Sequence, residues 1–336
     1  MNILLSSVGR RPYLVNWFKQ ALIINDIDGL VYAADIDANS PSKSFADSFI
    51  IAPRVDNTDY EPWLVETLNE KEVDLAVSIN DFELSFWATF KAKNPKLPLV
   101  ALDLTVQKAV EDKLLMSEIV SNADIKVPRT WLASDVAVDN LPNGDYITKG
   151  RFGSGSRGLR FSSLNGLEAA IDSALDEVTA PDGQLANDQE AYRPKDLLII
   201  QENISGVEFG LDVVSDMAGN FETVLVRRKI SMRNGETDRA ISVSSEPFFE
   251  LGRTLSKVIP HPGSIDIDII VDGSGDAYLI DVNPRLGGGY PFSHLASANL
   301  PAAYVAWTLG RQPEKQWLQS EVDVVSGKYV ETVRIR

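Results

Sequence analysis

Residues 263–290 read GSIDIDIIVDGSGDAYLIDVNPRLGGGY, and this stretch predicts a β-hairpin around which the rest of the chain is organised. Acidic and apolar residues alternate over 264–271, which is the period of a strand with one buried face. Turn-forming residues fill 272–276, and a second alternating segment follows over 277–283. Pro284 cannot donate to a β-ladder, so it ends the return strand. The pattern therefore places two strands side by side, each with acidic side chains on one face.

The register of this hairpin decides what its acidic residues can do. A tight loop centred on 274–275 sets Asp268 opposite Asp281 and Asp266 opposite Asn283, with all four on one face. Like charges directly opposite each other are destabilising, and a divalent cation between them would remove the repulsion. Carboxylate and amide oxygens are hard ligands that suit Mg²⁺ or Mn²⁺. A solvated acidic face on an exposed hairpin is the alternative, and the hairpin alone does not decide between the two.

An arginine and a glycine run follow the hairpin. The planar fork of Arg285 suits phosphate or carboxylate oxygens, and the glycines at 287–289 let backbone N–H groups approach an anion. The stretch resembles the metal-binding hairpin of the ATP-grasp superfamily, an acidic or amide residue followed on the next strand by Glu/Asp-x-Asn-x-Arg. The resemblance implies that Asp268, Asp281 and Asn283 hold the metal and that Arg285 is catalytic and holds an acylphosphate. The family usually has Glu at the position of Asp281.

Composition excludes several classes of protein. The chain has 336 residues with 32 Lys and Arg and 48 Asp and Glu, a formal net charge of 32 − 48 = −16. That charge argues against nonspecific binding of nucleic acid or of anionic membranes. Cysteine is absent, which excludes disulfides, thiolate metal sites and a cysteine nucleophile. We find no long apolar span and no signal peptide, and therefore expect a cytoplasmic protein.

The first 103 residues alternate between predicted strands and helices, which favours a parallel sheet covered by helices. The first βα turn lacks Gly-x-Gly-x-x-Gly, so a dinucleotide site is not predicted. Ligands in such sheets gather at the carboxyl ends of strands. The predicted strands are 2–7, 30–34, 73–79 and 99–102, and the predicted helices are 12–24 and a second one from about residue 82.

Four polar residues follow these strands and are candidate substrate contacts. Arg10 and Arg11 precede the first helix, where they could hold an anion, and a solvated arginine pair is the alternative. Asn80 and Asp81 follow the third strand, where capping of the next helix is the alternative. This region resembles, more loosely than the hairpin does, the N-terminal domain of carbamoyl-phosphate synthetase-like and PylC-like ATP-grasp ligases.

Two lysines are implied as phosphate ligands by the resemblance, and one of them, Lys149, is also implied as catalytic together with Arg285. Lys113 lies on a predicted helix over 103–121, where the family has an Asp-Lys pair before a Val-Pro strand entry. Lys149 ends a short predicted strand and precedes the glycine-rich segment 150–158, which resembles the phosphate-covering loop of the family rather than a Walker A motif. A Gly/Ser linker is the alternative for this loop. The loop residues expected to contact ATP are Gly153, Ser154, Gly155 and Ser156.

The strands after this loop supply the remaining candidates. By resemblance, Gln201 and Glu202 lie at the adenine edge, and Glu208 holds the ribose hydroxyls, which a carboxylate can accept as a pair. The basic run that contains Arg228 is expected to meet a phosphate or a substrate carboxylate, or else to pair with the acidic hairpin. Arg228 and Gly288 are therefore further candidate substrate contacts.

The resemblance implies an α/β protein, α+β in the lid and C-terminal part, with an ATP-grasp fold and an N-terminal Rossmann-like parallel-sheet domain. It predicts domains at 1–103 and 104–310, a lid subdomain at about 130–205 and a tail at 311–336. The implied activity is that of a ligase that uses ATP and Mg²⁺, or Mn²⁺, to activate a carboxylate as an acylphosphate for an amine. Carboxyphosphate chemistry and a non-catalytic ATP-binding regulator are the alternatives. The expected partners are small-molecule carboxylate and amine substrates, with no nucleic acid and no membrane, and a homodimer is possible.

Overall fold

Three β-sheets organise the part of the chain that the computed structural model describes, which is residues 1–153, 158–178 and 192–335. The N-terminal sheet has four strands: β1 (Asn2–Ser6), β2 (Val31–Asp35), β3 (Ser48–Ile51) and β4 (Val73–Ser78). All neighbours pair in parallel in the order β3-β2-β1-β4. Helix α1 (Pro12–Ile24) connects β1 to β2, α2 (Tyr60–Glu70) connects β3 to β4, and α3 (Asp81–Lys93) follows β4. The predicted Rossmann-like parallel sheet is confirmed.

The helix α1 shows why this layer forms. Pro12 starts it, with its fixed φ, and apolar residues then recur on one face. The buried set on that face is Leu14, Val15, Phe18, Ala21 and Leu22. Two elements, β3 and α2, were not predicted, and the predicted strand at 99–102 is wrong: Leu99 makes a single bridge to Ala76 instead of a ladder. Leu99 is nevertheless buried, so its apolar character reflects packing rather than pairing.

Two helices lead from this domain into the next, α4 (Leu104–Glu111) and α5 (Lys113–Ser121). The predicted single helix over 103–121 is therefore wrong at Asp112, where the structure divides it into two helices. Asp112 has an extended backbone, and its carboxylate accepts from the N–H groups of Leu114 and Leu115 at 3.1 and 3.3 Å. An aspartate in this role stabilises a new helix start, which breaks the continuous pattern.

The second sheet is a small antiparallel one in the order β5-β8-β6-β7. Its strands are β5 (Thr130–Leu132), β6 (Asp145–Gly150), β7 (Arg160–Ser163) and β8 (Leu198–Glu202), and α6 (Leu167–Leu175) packs on it. The predicted polar loop over 180–196 lies mostly outside the described residues.

The third sheet has six antiparallel strands in the order β13-β12-β9-β10-β11-β14. The strands are β9 (Gly206–Ser215), β10 (Phe221–Arg233), β11 (Glu236–Val243), β12 (Gly263–Asp272), β13 (Ala277–Asn283) and β14 (Val325–Gly327). One face is apolar and packs into a core with α4, α5 and α7 (Phe249–Val258). The other side of the sheet carries charged side chains and faces the N-terminal domain.

The base of the hairpin β12–β13 has the predicted register. Asp268 lies directly opposite Asp281, and Asp266 lies opposite Asn283. Ile267 on the same strand is fully buried on the other face, so the alternation deduced from the sequence is confirmed.

The turn of this hairpin differs from the prediction. Ile269 pairs with Leu279, which leaves Ile280 as a bulge in the ladder. The loop is longer than the predicted tight turn, because Asp272 N donates to the carbonyl of Asp276 at 3.0 Å and closes three residues between them. The bulge restores the register that the longer loop would have shifted.

The C-terminal part also departs from the prediction. Instead of one helix over 294–310, α8 (Tyr290–Leu295) ends before α9 (Leu300–Thr308), whose start is capped by Asn299. The tail, for which no element was predicted, adds β14 to the edge of the six-stranded sheet and returns to the N-terminal domain, where the Ser44 hydroxyl donates to the Arg334 carbonyl at 2.7 Å. Within the described ranges, the structure contains no helix with the length and apolar character needed to span a bilayer.

Candidate active site

Two carboxylates face each other across the hairpin, and a lysine from β10 balances one of them. Lys229 Nζ lies 2.7 Å from Asp268 Oδ1 and also donates to Glu208. Burial raises the pKa of Asp268 to about 7, with the Lys229 ammonium acting in the opposite direction and Asp281 adding to the rise. The carboxylates therefore belong to a partly buried, charge-compensated cluster and not to a solvated acidic face.

The donor set on this face suits a hard divalent cation. Asn283 follows on the same strand and its amide nitrogen lies 3.4 Å from Asp281 Oδ2. Among the residues described, no group of three or more acidic or histidine side chains could hold a metal unaided. Mg²⁺ is commonly bound through one or two carboxylates together with substrate phosphates, and two carboxylates plus an amide fit that pattern. The roles of Asp268, Asp281 and Asn283 as metal ligands stay a prediction.

Asp266, the fourth polar residue of this face, is engaged by a buried arginine. Arg227 is 1% exposed and bonds to Asp266, while its Nη1 lies 2.8 Å from Oδ2 of the fully buried Asp212. The hydroxyl of Ser293 on α8 donates to the same oxygen at 2.6 Å. Removing one partner from such a buried pair typically costs about 3–5 kcal/mol, because it leaves an uncompensated charge. This network therefore holds the strands and α8 in one fixed arrangement.

The glycine run after the hairpin is explained by packing against that network. A Cβ on Gly287 would lie 2.0 Å from Asp266 Oδ2, and one on Gly289 would lie 2.0 Å from Arg227 Nη2. At Gly288, by contrast, the nearest atom would be a side-chain nitrogen 3.6 Å away. Two of the three glycines are thus required by close contact with buried charges, whereas Gly288 has room for a side chain.

Arg285 connects the hairpin to the N-terminal domain. Its Nε donates to Asp81 Oδ1 at 2.7 Å and its Nη2 donates to Asp81 Oδ2 at 3.3 Å and to Asn283 Oδ1 at 3.3 Å. Asp81 begins α3, and the side chain before it, Asn80, accepts from the N–H of Phe82 at 2.9 Å. Asn80 is therefore a helix cap, which was the alternative interpretation, and Asp81 is the group that orients Arg285.

A cleft separates the small sheet from the hairpin and from α5. Lys149, at the end of β6, donates from Nζ to the carbonyl of the bulge residue Ile280 at 3.0 Å. Burial lowers the pKa of Lys149 to about 8, and the nearby Asp281 and Asp268 oppose that shift. The cleft is lined by Val110, Lys113, Met116, Ser117, Val127, Lys149, Gln201, Leu279, Ile280, Asp281 and Val282. Both predicted phosphate-binding lysines therefore reach the same cleft as one hairpin carboxylate.

The second of these lysines is fixed at the base of the glycine-rich loop. Lys113 is the first residue of α5, and its ammonium donates to the carbonyl of Gly153. The carboxylate of the preceding Asp112 accepts from Nε and Nη2 of Arg151, at 2.9 and 2.6 Å. Asp112 and Arg151, which were not among the predicted site residues, tie the loop to the helix that carries Lys113. The remaining predicted loop contacts, at 154–156, lie outside the described residues.

The three predicted adenine and ribose contacts have three different surroundings in the structure. Gln201 is 5% exposed, lines the cleft and donates to Thr130 Oγ1 at 3.0 Å. The Glu202 side chain forms a two-point ion pair with Arg129 at 3.0 and 3.1 Å, so the structure commits it elsewhere. Glu208 lies on the charged face and accepts from Lys229, as described above.

The structure does not bring every predicted substrate contact to this face. Arg10 is exposed, and Arg228 is exposed on the opposite face of the sheet, because side chains alternate along β10. Its neighbours Arg227 and Lys229 are the residues that meet the hairpin carboxylates. The alternation that placed the acidic residues on one face would also have identified these two. Arg11 lies near Glu236 of β11, with Nη2 3.9 Å from Oε1.

Comparisons with known proteins match these features. The model of the PylC-like N-terminal domain matches residues 3–98, and the model described as ATP-grasp in the biosynthetic pathway with Ter operon matches residues 194–332. No curated protein matches the chain. The two matches follow one another along the chain, and the resemblance recognised from the hairpin is confirmed.

Solved structures with the same fold cover almost the whole chain. A biotin carboxylase complex with β-γ-ATP from Campylobacter jejuni has a TM-score of 0.71 at 17% identity, over 95% of this chain and 73% of that one. An ADP complex of the N5-carboxyaminoimidazole ribonucleotide synthetase purK has a TM-score of 0.69 at 15% identity, over 96% and 80%. An L-amino acid ligase from Bacillus licheniformis has a TM-score of 0.67 at 16% identity, over 95% and 77%.

At these identities the structures show the fold, which is the predicted ATP-grasp fold. The family model over residues 194–332 agrees with the expectation of an ATP-grasp protein. The predicted domain limits and the roles of individual site residues stay predictions.

Proposed function

We propose that this protein is an ATP-dependent carboxylate–amine ligase that acts on small molecules. The observation that carries the proposal is the meeting of two lysines and a hairpin carboxylate at one cleft, with an arginine next to the hairpin end. Lys113, Lys149 and Asp281 line the cleft. Arg285 lies two residues after Asn283, the last residue of β13, and its Nη2 donates to Asn283 Oδ1 at 3.3 Å. Cations for phosphate, acidic ligands for a metal and an arginine fork for an acyl group are the parts that phosphoryl transfer to a carboxylate needs.

The reaction has two steps. An oxygen of the substrate carboxylate attacks the γ-phosphorus of ATP, the bond from that phosphorus to the β–γ bridging oxygen breaks, and ADP leaves. The amine nitrogen then attacks the carbonyl carbon of the acylphosphate, phosphate leaves and the nitrogen loses a proton. Lys113 and Lys149 bind and orient phosphate oxygens, while Arg285 binds the developing acylphosphate through its planar fork.

A divalent cation, Mg²⁺ or Mn²⁺, would be held by Asp268, Asp281 and Asn283 and would neutralise charge on the phosphates. Lys229 supplies positive charge to Asp268 in the structure described, 2.7 Å away, which supports a cation requirement at this point. Glu208 is proposed for the ribose hydroxyls and Gln201 for the adenine edge. A cytoplasmic location and a possible homodimer complete the proposal.

The test is the release of ADP from ATP in the presence of carboxylic acids and amines supplied together, singly or not at all. We expect release to require both, and to be lost in Lys149→Met with the protein still folded. Release that depends on bicarbonate would favour carboxyphosphate chemistry instead. ATP binding without ADP release under any of these conditions would leave a nucleotide-binding regulator and refute the ligase proposal.

A further inference from the structure

A charged pocket lies beside Gly288, where the C-terminal strand meets the first helix. Lys328 follows β14, and its Nζ donates to Glu236 Oε2 at 2.8 Å. A Cβ on Gly288 would lie 3.6 Å from that nitrogen and 3.7 Å from that oxygen, so this backbone position borders the charged pair directly. Arg11, next to α1, reaches the same carboxylate with Nη2 3.9 Å from Oε1. Residues near both ends of the chain therefore meet beside Gly288, which lies three residues after Arg285.

The pocket carries net positive charge. The pKa of Glu236 is lowered first by the hydrogen bond from Lys328, and further by the charges of Arg11 and Arg285. Arg285 is itself compensated by Asp81, with Asp266 and Asp281 also nearby. The two cations Arg11 and Lys328 against the one carboxylate of Glu236 leave 2 − 1 = +1. In a chain of formal net charge −16, a locally cationic pocket attracts an anionic ligand.

Arg11 is the cation of this pocket that lacks a hydrogen-bonded partner. Lys328 and Arg285 both donate to carboxylates, as described above. Arg11 makes only the 3.9 Å contact, and its buried Nη1 has no hydrogen-bond partner among the residues that the structure describes. A buried donor without an acceptor is costly, and a guanidinium fork binds a carboxylate through two parallel hydrogen bonds.

We propose that Arg11 binds a second carboxylate of the substrates, one that is not phosphorylated, in the pocket completed by Glu236, Lys328 and Gly288. The carboxylate that reacts would lie beside Arg285 and the hairpin residues Asp268 and Asp281. The carboxylate at Arg11 is therefore a separate group that binds the substrate without reacting. This inference rests on the proposed ligase function and narrows its substrate class. At least one substrate carries a carboxylate in addition to its reacting group.

Two sources of that carboxylate share the same chemistry. The acyl substrate can be a dicarboxylic acid, of which one end reacts and the other is held by Arg11. Alternatively the amine can be an amino acid, whose carboxylate is held while its nitrogen attacks. The two are distinguished by removing the negative charge from one substrate at a time while its size is kept.

The experiment measures binding and turnover with the full-length chain. Calorimetry compares succinate and glutarate with their monoamides succinamate and glutaramate, and each L-amino acid with its carboxamide. We expect at least one acid to bind about tenfold or more tightly than its amide, because charge-assisted hydrogen bonds are the strong ones. Arg11→Gln should abolish that preference, and Arg11→Lys, which keeps the charge without the fork, should restore part of it.

The matched control is Arg253→Gln, which removes an arginine with a similarly loose ion pair, 3.4 Å from Glu250, on the surface helix α7. It should leave the preference unchanged. In turnover assays Arg11→Gln should raise KM for the same substrate about tenfold or more while kcat changes little, because the contact is made equally in the ground and transition states.

Each outcome decides the inference. Equal binding of acids and amides by the wild-type protein, no binding by any probe, or an equal loss in Arg253→Gln would overturn it. ADP release that is indifferent to Arg11→Gln would overturn it while leaving the ligase proposal intact. Arg11-dependent binding without ADP release from any substrate pair would support the carboxylate pocket and refute the ligase proposal alone.

Discussion

Arg285 and Asp81, 204 positions apart in sequence, are joined by two hydrogen bonds, Nε to Oδ1 at 2.7 Å and Nη2 to Oδ2 at 3.3 Å. The contact joins the end of the hairpin to the start of α3 in the N-terminal domain. The arginine proposed to hold the acylphosphate is therefore oriented by a residue from the other domain. Catalysis and domain packing share this one contact.

Asp81→Asn should weaken both catalysis and the packing of the hairpin against the N-terminal domain. The amide removes the negative charge and one acceptor, so we expect the free energy of unfolding to fall by about 1.5–3 kcal/mol, the usual range for a hydrogen bond to a charged group. The value of kcat/KM should fall about tenfold or more, because Arg285 loses its orientation. Urea unfolding and ADP release measure the two effects. Asp139→Asn, at an exposed position, is the control, and an unchanged kcat/KM in Asp81→Asn would disprove the orienting role.

The two hairpin carboxylates should respond differently to neutralisation. Both Asp268→Asn and Asp281→Asn should lose most turnover if the two share a metal. Asp268 also pairs with Lys229, so its variant should lose thermal stability, whereas Asp281→Asn relieves repulsion and should keep or gain stability. Turnover and melting temperature of the metal-free proteins check this. Near-normal turnover in both variants would remove the hairpin as the metal site.

The glycine run gives a stability prediction with an internal control. Gly287→Ala and Gly289→Ala place a methyl group against Asp266 and Arg227, and should each destabilise the fold by about 1–3 kcal/mol or more, the usual range for overpacking. Gly288→Ala meets no atom closer than 3.6 Å and should leave the unfolding midpoint nearly unchanged. Equal stability of all three variants in urea would contradict the packing explanation.

Lys149 should take up a proton when ATP binds in alkaline solution. Burial lowers its pKa to about 8 in the free protein, so above pH 8 the neutral amine predominates. Phosphate oxygens nearby favour the ammonium and raise the pKa, so ATP binding at about pH 8.5 should be accompanied by proton uptake. Calorimetry in buffers of different ionisation enthalpy measures the uptake. Lys149→Met is the comparison, and uptake that persists in this variant would assign the proton to another group.

The same shift predicts how stability depends on pH. The folded pKa of Lys149 lies below its unfolded value, so between about pH 8 and the unfolded pKa the unfolded chain binds more protons. The cost of burying the ammonium is therefore present at neutral pH and is relieved as the pH rises through 8. The stability gained by Lys149→Met over the wild-type protein should be largest at pH 7 and shrink toward pH 10. Urea unfolding at several pH values tests this, and a gain independent of pH would contradict it.

The hairpin shows what its sequence determines locally. Alternation and Pro284 define two strands with acidic faces, and the base pairing of Asp268 with Asp281 follows from counting through the turn. The turn itself was not predictable in this way, because the Asp272 carboxylate accepts from the N–H groups of Ser274 and Asp276 at 2.9 and 3.0 Å and stabilises a longer loop. A side-chain contact of this kind competes with the backbone turn rules used for prediction.

Contacts between distant parts of the chain were beyond local reasoning. Nothing near Arg285 indicates that Asp81 pairs with it, and Lys328 lies in a tail with no predicted element. The basic run 227–229 predicts an anion contact without indicating which of its side chains makes it, and Lys229 rather than the predicted Arg228 lies at the site. Applying strand alternation to that run would have separated the exposed residue from the one at the site.

The bulge at Ile280 divides the hairpin into two parts that pair in different registers. Its carbonyl, left out of the strand ladder, is the acceptor for Lys149, and on either side of it the strands pair in different registers. The exposed loop at 272–276 is therefore insulated from the carboxylates at the base. Residues inserted there, such as a short tag or a fluorophore attachment site, would lengthen a solvent loop at small entropic cost without displacing the reactive groups.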